Sequence, residues 1–121
     1  MLRQWRNFLA DLLEAVRQAA LDKKGEDVQT IDLAGKTILA DKFVIVTGRS
    51  KIQTRSIADA IALAVKENGF GTARIEGHAD GGWILIDAGS IIVHVFTPQE
   101  RSFYNLERLW GSTQQRMAQT S

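Results

Sequence analysis

Glu76, His78 and Asp80 stand at every second position of the chain. In an extended segment their side chains would project from one side, and carboxylates flanking an imidazole are able to hold a divalent cation. The same spacing also describes a solvated strand edge running into a polar turn, because a metal site needs supporting ligands that this stretch does not supply. His94, set between Val93 and Val95, could serve as a general base, since its charge changes near neutral pH. A histidine among apolar neighbours otherwise sits neutral in a core or an interface, with its ring nitrogens hydrogen-bonded. Asp41 and Asp87 fall at strand ends, where a carboxylate can catalyse, cap or pair with a cation. No serine lies in a nucleophile elbow, and no phosphate loop or dinucleotide fingerprint is present. Gly69-Phe70-Gly71 reads as a helix stop. With no cysteine in the chain there is no thiol nucleophile, no cysteine-ligated zinc and no disulfide. The inventory favours binding over catalysis, with no cofactor expected.

Periodicity places these groups on elements. Trp5, Phe8, Leu9, Leu12, Leu13, Val16, Ala19 and Ala20 recur at three- and four-residue steps, which predicts an amphipathic helix with one buried stripe. Asp22-Lys23-Lys24-Gly25 ends it. Val28 to Leu33 alternates as a half-buried strand, Ala34-Gly35-Lys36 turns, and Phe43 to Thr47 is a β-branched run expected to be covered on both faces. Ser50-Lys51-Ile52-Gln53 matches a capping box, in which the Ser50 hydroxyl caps a backbone N–H and Gln53 reaches back. The helix it opens buries Ile57, Ile61, Ala64 and Val65 and stops at Asn68-Gly69. Ala73 to His78 alternates again, and Asp80-Gly81-Gly82 turns. Trp83 to Asp87 and Ile91 to Phe96 form a hairpin around Ala88-Gly89. Pro98 closes the sheet region. Arg101 to Trp110 predicts a last short helix with Phe103, Leu106, Leu109 and Trp110 on one side. Gly111 to Ser121 is polar and predicts a disordered tail.

The order α-β-β-α-β-β-β-α is that of one α/β domain over residues 1–110, with a mixed sheet of about five strands and about three helices. At 121 residues the chain is long enough to bury a core without staples. Its formal net charge of +1 is spread along the chain, which disfavours DNA or any other ligand held mainly by phosphate contacts. No apolar run is long enough to cross a bilayer, and the first residues carry no signal core, so no membrane partner and a cytoplasmic, unprocessed protein are expected.

A two-residue loop at Ala88-Gly89 would pair Asp87 with Ser90, Leu85 with Ile92 and Trp83 with His94. One face of the hairpin then carries Ile84, Ile86, Ile91 and Val93, and the other Trp83, Leu85, Ile92, His94 and Phe96. Both faces are apolar and both need covering. Either helices cover both, or helices cover one and a partner protein covers part of the other, where Trp and Phe are the residues that interfaces use.

Taken in order, several blocks resemble one family. They are Ala40-Asp41-Lys42-Phe43-Val44-Ile45-Val46-Thr47-Gly48 followed by Ser50, Gln53, Ile57, Ala58 and Asp59, then Glu76-Gly77, Trp83-Ile84-Leu85-Ile86-Asp87, Gly89, Val93-His94-Val95-Phe96 and Arg101 to Trp110. The ordered set resembles the ribosomal silencing factor family, also called Iojap-like, over roughly Leu12 to Trp110. The resemblance implies a nucleotidyltransferase-like fold without its catalytic carboxylates. Gly35-Lys36-Thr37 to Asp41 lacks both the Gly-Ser turn and the close acidic pair that transferases of that fold use. It further implies binding to the large ribosomal subunit through ribosomal protein uL-fourteen, a steric block to small-subunit joining, and repression of translation in starvation or stationary phase. Homodimers are common in the family. By the same resemblance Trp83, Ile84, Asp87 and Ala88 map onto the contact block, and Tyr104, Glu107 and Trp110 onto the closing signature. Ala88-Gly89-Ser90 departs from the family, which usually has a large apolar residue, then Gly, then an acid; the smaller side chain would cost a contact about 1–3 kcal/mol. Two other readings compete: a nucleotide- or metal-dependent enzyme using Glu76, His78, Asp80 or His94, and a homodimeric adaptor using the hairpin face for itself.

Overall fold

The structure, a computed structural model, describes residues 2–111, with side chains from Asn7 onward. The Trp5 side chain and the tail at residues 112–121 lie outside the described residues. Helix α1 (Leu2–Asp22) leads into strands β1 (Glu26–Asp32) and β2 (Lys42–Thr47). Helix α2 (Lys51–Glu67) follows, then strands β3 (Arg74–Glu76), β4 (Trp83–Asp87) and β5 (Ile91–Phe96). Helix α3 (Pro98–Tyr104) and a π-helical turn (Glu107–Gly111) close the described chain. The predicted order of elements is the observed one. The strands form one sheet in the order β1-β2-β5-β4-β3. The central pair β2 and β5 is parallel, and every other pairing is antiparallel.

Helices α1 and α2 lie on one face. Leu12, Val16 and Ala20 of α1 and Ile57, Ile61 and Val65 of α2 pack against Val44, Val46, Ile84, Ile86, Val93 and Val95. Each large apolar side chain so buried contributes roughly 1.5–3 kcal/mol. Phe8 is more peripheral than its place in the stripe predicted: it is partly exposed and meets Phe70 edge-on at 5.2 Å. The second face carries a smaller core of Ile31, Leu33, Phe43, Ile45, Phe96 and Leu106, with Trp83, Ile92 and Trp110 partly buried beside it. Among the described residues no long helix covers it; α3, through Tyr104, and the segment after it do so only in part.

Three local expectations are corrected and one, the capping box, is met and extended. The hairpin loop is wider than two residues: Asp87 pairs with Ile92, Leu85 with His94 and Trp83 with Phe96. Neighbouring β2 accounts for this, because the Asp41 and Lys42 N–H groups both donate to the Ser90 carbonyl, at 2.8 and 3.2 Å. That draws Ser90 out of the antiparallel ladder. The shift is by two residues, so every side chain keeps its predicted face. Second, the Gln53 side chain reaches past the cap: its Oε1 accepts from the Arg49 N–H at 3.0 Å and its Nε2 donates to the Lys23 and Lys24 carbonyls. Ser50 Oγ does cap the Gln53 N–H, at 3.2 Å.

Third, β3 ends at Glu76, and Gly77 takes a positive φ of 82°. The strand therefore stops before His78. Fourth, the last helix is broken. Pro98 starts α3 at its first turn, where a missing N–H costs nothing. Asn105 then adopts the left-handed conformation that asparagine tolerates, and the chain resumes as the π-helical turn. Phe103 and Leu109 consequently lie 79% and 62% exposed, while Leu106 is buried.

Candidate interaction face

On the second face an aromatic row crosses the sheet. Trp110 meets Phe43 edge-on at 5.8 Å between ring centroids, and Phe43 meets His94 edge-on at 4.6 Å. His94 lies 5.8 Å from Trp83, Trp83 lies 4.4 Å from Tyr104, and Tyr104 meets Phe103 at 5.0 Å. The strands set this row. The parallel register puts Phe43 beside Ile92 and Ile45 beside His94, and the antiparallel one puts Trp83 beside Phe96. Alternation then turns Phe43, Ile45, Trp83, Leu85, Ile92, His94 and Phe96 to the same side. Helix α3 adds Tyr104 and Phe103 at one end, and the π-helical turn adds Trp110 at the other.

The row grades from dry to wet. Phe43, His94 and Phe96 are buried, Trp83 and Trp110 are half-buried, and Tyr104 and Phe103 are exposed. Beside it opens a cleft of about 490 Å³ between the sheet and the Leu106–Trp110 segment, with Leu39 at its border. Ile38 and Leu39, on the adjoining loop, are also exposed.

His94 is the polar centre of the row. The Trp83 Nε1–H donates to its Nδ1 at 3.0 Å. The indole nitrogen can only donate, so Nδ1 holds a lone pair and the neutral ring carries its proton on Nε2. Burial pushes the His94 pKa down to about 4, because the interior disfavours the charged form. That environment does not make a general base poised near neutrality.

Arg101 anchors the frame of the face. It is 7% exposed, and its guanidinium donates to the Asp27 carbonyl at 2.6 Å, Thr47 Oγ1 at 2.8 Å and Glu107 Oε2 at 3.0 Å. Asp27 sits in a bulge of β1 at φ 49°. One side chain thus joins the bulge, the end of β2 and the start of the π-helical turn. Lys36 Nζ adds a second tie, donating to the Trp110 carbonyl at 3.2 Å.

The residues expected at a partner contact are only partly brought together. Trp83, Tyr104 and Trp110 belong to the row. Asp87 is half-buried, and its Oδ1 accepts from the Gly89 N–H at 2.9 Å, bracing the loop. Glu107 serves Arg101. Ile84 is corrected: it is fully buried on the opposite face, in the core under the helices, out of reach of a partner. Ala88 is half-buried and packs beside that same core, on the opposite side of the sheet from the aromatic row. The metal trio is likewise dispersed. His78 Nε2 bonds Asp59 Oδ1 at 2.9 Å, Asp80 Oδ2 accepts from the Gly82 N–H at 3.1 Å, and Glu76 stays on β3. Among the described residues no group of three or more His, Cys, Asp or Glu could hold a metal ion. Missed from sequence were Phe43 as a member of the row and Arg101 as its anchor. The alternation of Phe43 with Ile45 carried the first signal, but only once β2 is known to lie beside β5.

The family described as ribosomal silencing factor during starvation matches residues 7–121. The chain belongs to the ribosomal silencing factor family. A Zymomonas mobilis silencing factor is 44% identical over 100 residues, covering 83% of this chain and 75% of its own. The Bacillus subtilis silencing factor is 41% identical over 100 residues, covering 83% and 85%. The crystal structure of a Chromobacterium violaceum protein superposes with a TM-score of 0.82 at 34% identity, covering 84% of this chain and 85% of that one. The silencing-factor family accounts for the fold and points to a regulatory role in translation. No helix among the described residues is long and apolar enough to cross a membrane.

Proposed function

We propose that this chain represses translation by seating the outer end of its aromatic row on the large ribosomal subunit, at ribosomal protein uL-fourteen, and so excluding the small subunit. Such a block needs no reacting group. It needs a tight contact and a body behind it, and the two-layered domain provides the body. The observation that carries the reading is the gradient along the row: rings fixed in the core at Phe43, His94 and Phe96 extend without a break to Trp83, Tyr104 and Phe103 at the surface. Rigid aromatic anchors of this kind dominate protein interfaces. Cytoplasmic placement belongs to the same reading.

A second copy of the chain is a further occupant for this face. Ile38 is fully exposed and Leu39 largely so, and a dimer formed there would cover them and compete with the ribosome.

Co-sedimentation with separated subunits tests the proposal. The wild type is expected with the large subunit alone. Trp83→Ala mixes two effects, because the indole also packs on Phe96 and bonds His94. The cleaner variant is the pair Phe103→Ala and Tyr104→Ala, expected to weaken binding roughly tenfold or more. The pair Ile52→Ala and Leu63→Ala, on the exposed side of α2, should bind as the wild type does. Full binding by a folded Phe103/Tyr104 variant, or migration with the small subunit, would falsify the placement.

A further inference from the structure

The cleft beside the aromatic row contains a feature that a protein–protein contact at its rim does not use. His94 is 4% exposed and lines the cleft. Its Nδ1 is engaged by the Trp83 indole. Its Nε2 is the one buried side-chain nitrogen or oxygen among the described residues without a hydrogen-bond partner. With Nδ1 accepting, Nε2 carries the proton, so the orphan is a donor. A buried donor left unmade is a net loss to the fold; the nitrogen is sealed from solvent, so an acceptor meets it only as the flanking rings shift, and one that does recovers that loss.

The surroundings narrow what the acceptor belongs to. Phe43, Trp83 and Trp110 give the cleft aromatic walls, and at about 490 Å³ it is of the size that takes a small molecule. Charges stand among its lining: Arg74, Glu76 and Asp87. Two carboxylates against one guanidinium give an anion no net welcome, and an apolar interior leaves its lost hydration uncompensated. A cation can meet the carboxylates and the aromatic faces but gains nothing from the Nε2–H donor. The fit is a flat, uncharged molecule, largely apolar, with one carbonyl or ring-nitrogen acceptor.

We propose that the cleft between the second sheet face and the Leu106–Trp110 segment is a small-molecule site for uncharged aromatic amides or heteroaromatic rings, oriented by an acceptor on His94 Nε2–H. The site stands on the geometry of the cleft and does not depend on the ribosome reading.

The test uses the full-length protein and three probes: benzamide, which has ring and acceptor; ethylbenzene, which has the ring alone; and benzylamine, a cation. Side-chain nitrogen–proton spectra report the His94 imidazole and the Trp83 indole directly. Benzamide should shift both resonances saturably and bind about tenfold more tightly than ethylbenzene, the value of one buried hydrogen bond. Benzylamine, which has no acceptor, should leave the His94 imidazole resonance in place. In His94→Phe, benzamide and ethylbenzene should bind alike at the remaining Trp83 reporter. Equal affinity of the two probes for the wild type, or no saturable shift up to the solubility of benzamide, overturns the proposal whether or not the variant folds.

Discussion

His94 couples the chemistry of one ring to the stability of the whole domain. Its pKa in the fold is about 4, against about 6.5 for the unfolded chain. The unfolded state therefore binds the extra proton first, between those values. Stability contributed by the neutral ring is complete above pH 6.5 and is lost as pH falls toward 4, on the order of 3 kcal/mol over the window. Urea denaturation at pH 7.5 and 4.5 should show that loss in the wild type and a clearly smaller one in His94→Phe. Equal losses in both proteins would remove His94 as the source. The sequence showed that the side chain sits among apolar neighbours. It could not show which nitrogen is engaged, because Trp83 and His94 meet through the register of a hairpin whose loop width depends on β2.

Among the elements, the segment after β5 depends most on single contacts. Arg101→Ala leaves the Asp27 carbonyl and Thr47 without their donor and frees the π-helical turn. Its two carboxylate partners, Asp27 and Glu107, are far enough from full burial to be solvated in its absence. The cost should accordingly fall below that of a fully buried pair, at about 2–3 kcal/mol, with Glu107→Gln costing about 1 kcal/mol. Chemical denaturation measures both, and a loss at Arg101 no larger than at Glu107 would refute the three-way anchor. The turn before β4 offers a second comparison. A Cβ on Gly77 would collide with the Trp83 carbonyl oxygen, whereas one on Gly89 meets nothing, although both residues have positive φ. Gly89→Ala should cost about 1 kcal/mol, and Gly77→Ala roughly three times that or fail to fold. Periodicity revealed α1, α2 and the long strands because each buries a continuous stripe. It failed at β3 and at the last helix, where a glycine and an asparagine in left-handed conformations end the elements early.

At the scale of the molecule, the spread of charge governs how the proposed ribosomal contact responds to salt. A formal net charge of +1 and an apolar outer row leave few counterions to release. Binding to the large subunit should weaken by only about threefold between 50 and 200 mM salt, against the roughly thousandfold or more expected of a protein held by many phosphate contacts. Sedimentation across that range at fixed magnesium decides between them. The layered α/β class was legible because strands and helices carry distinct periods. Which face stays open was not, since it depends on strand order, and β5 lies between β2 and β4 although it is the last strand to be made.

That placement governs the order of folding during synthesis. The two halves of the sheet, β1 with β2 and β3 with β4, share no ladder with one another; β5 lies between them and closes both. A nascent chain stalled before Ile91 lacks the strand that joins β2 to β4, and unpaired strand edges of that kind invite pairing with other chains. Productive folding therefore waits for almost the entire domain to leave the exit tunnel. A chain arrested a few residues earlier should be open to proteases along both halves of the sheet.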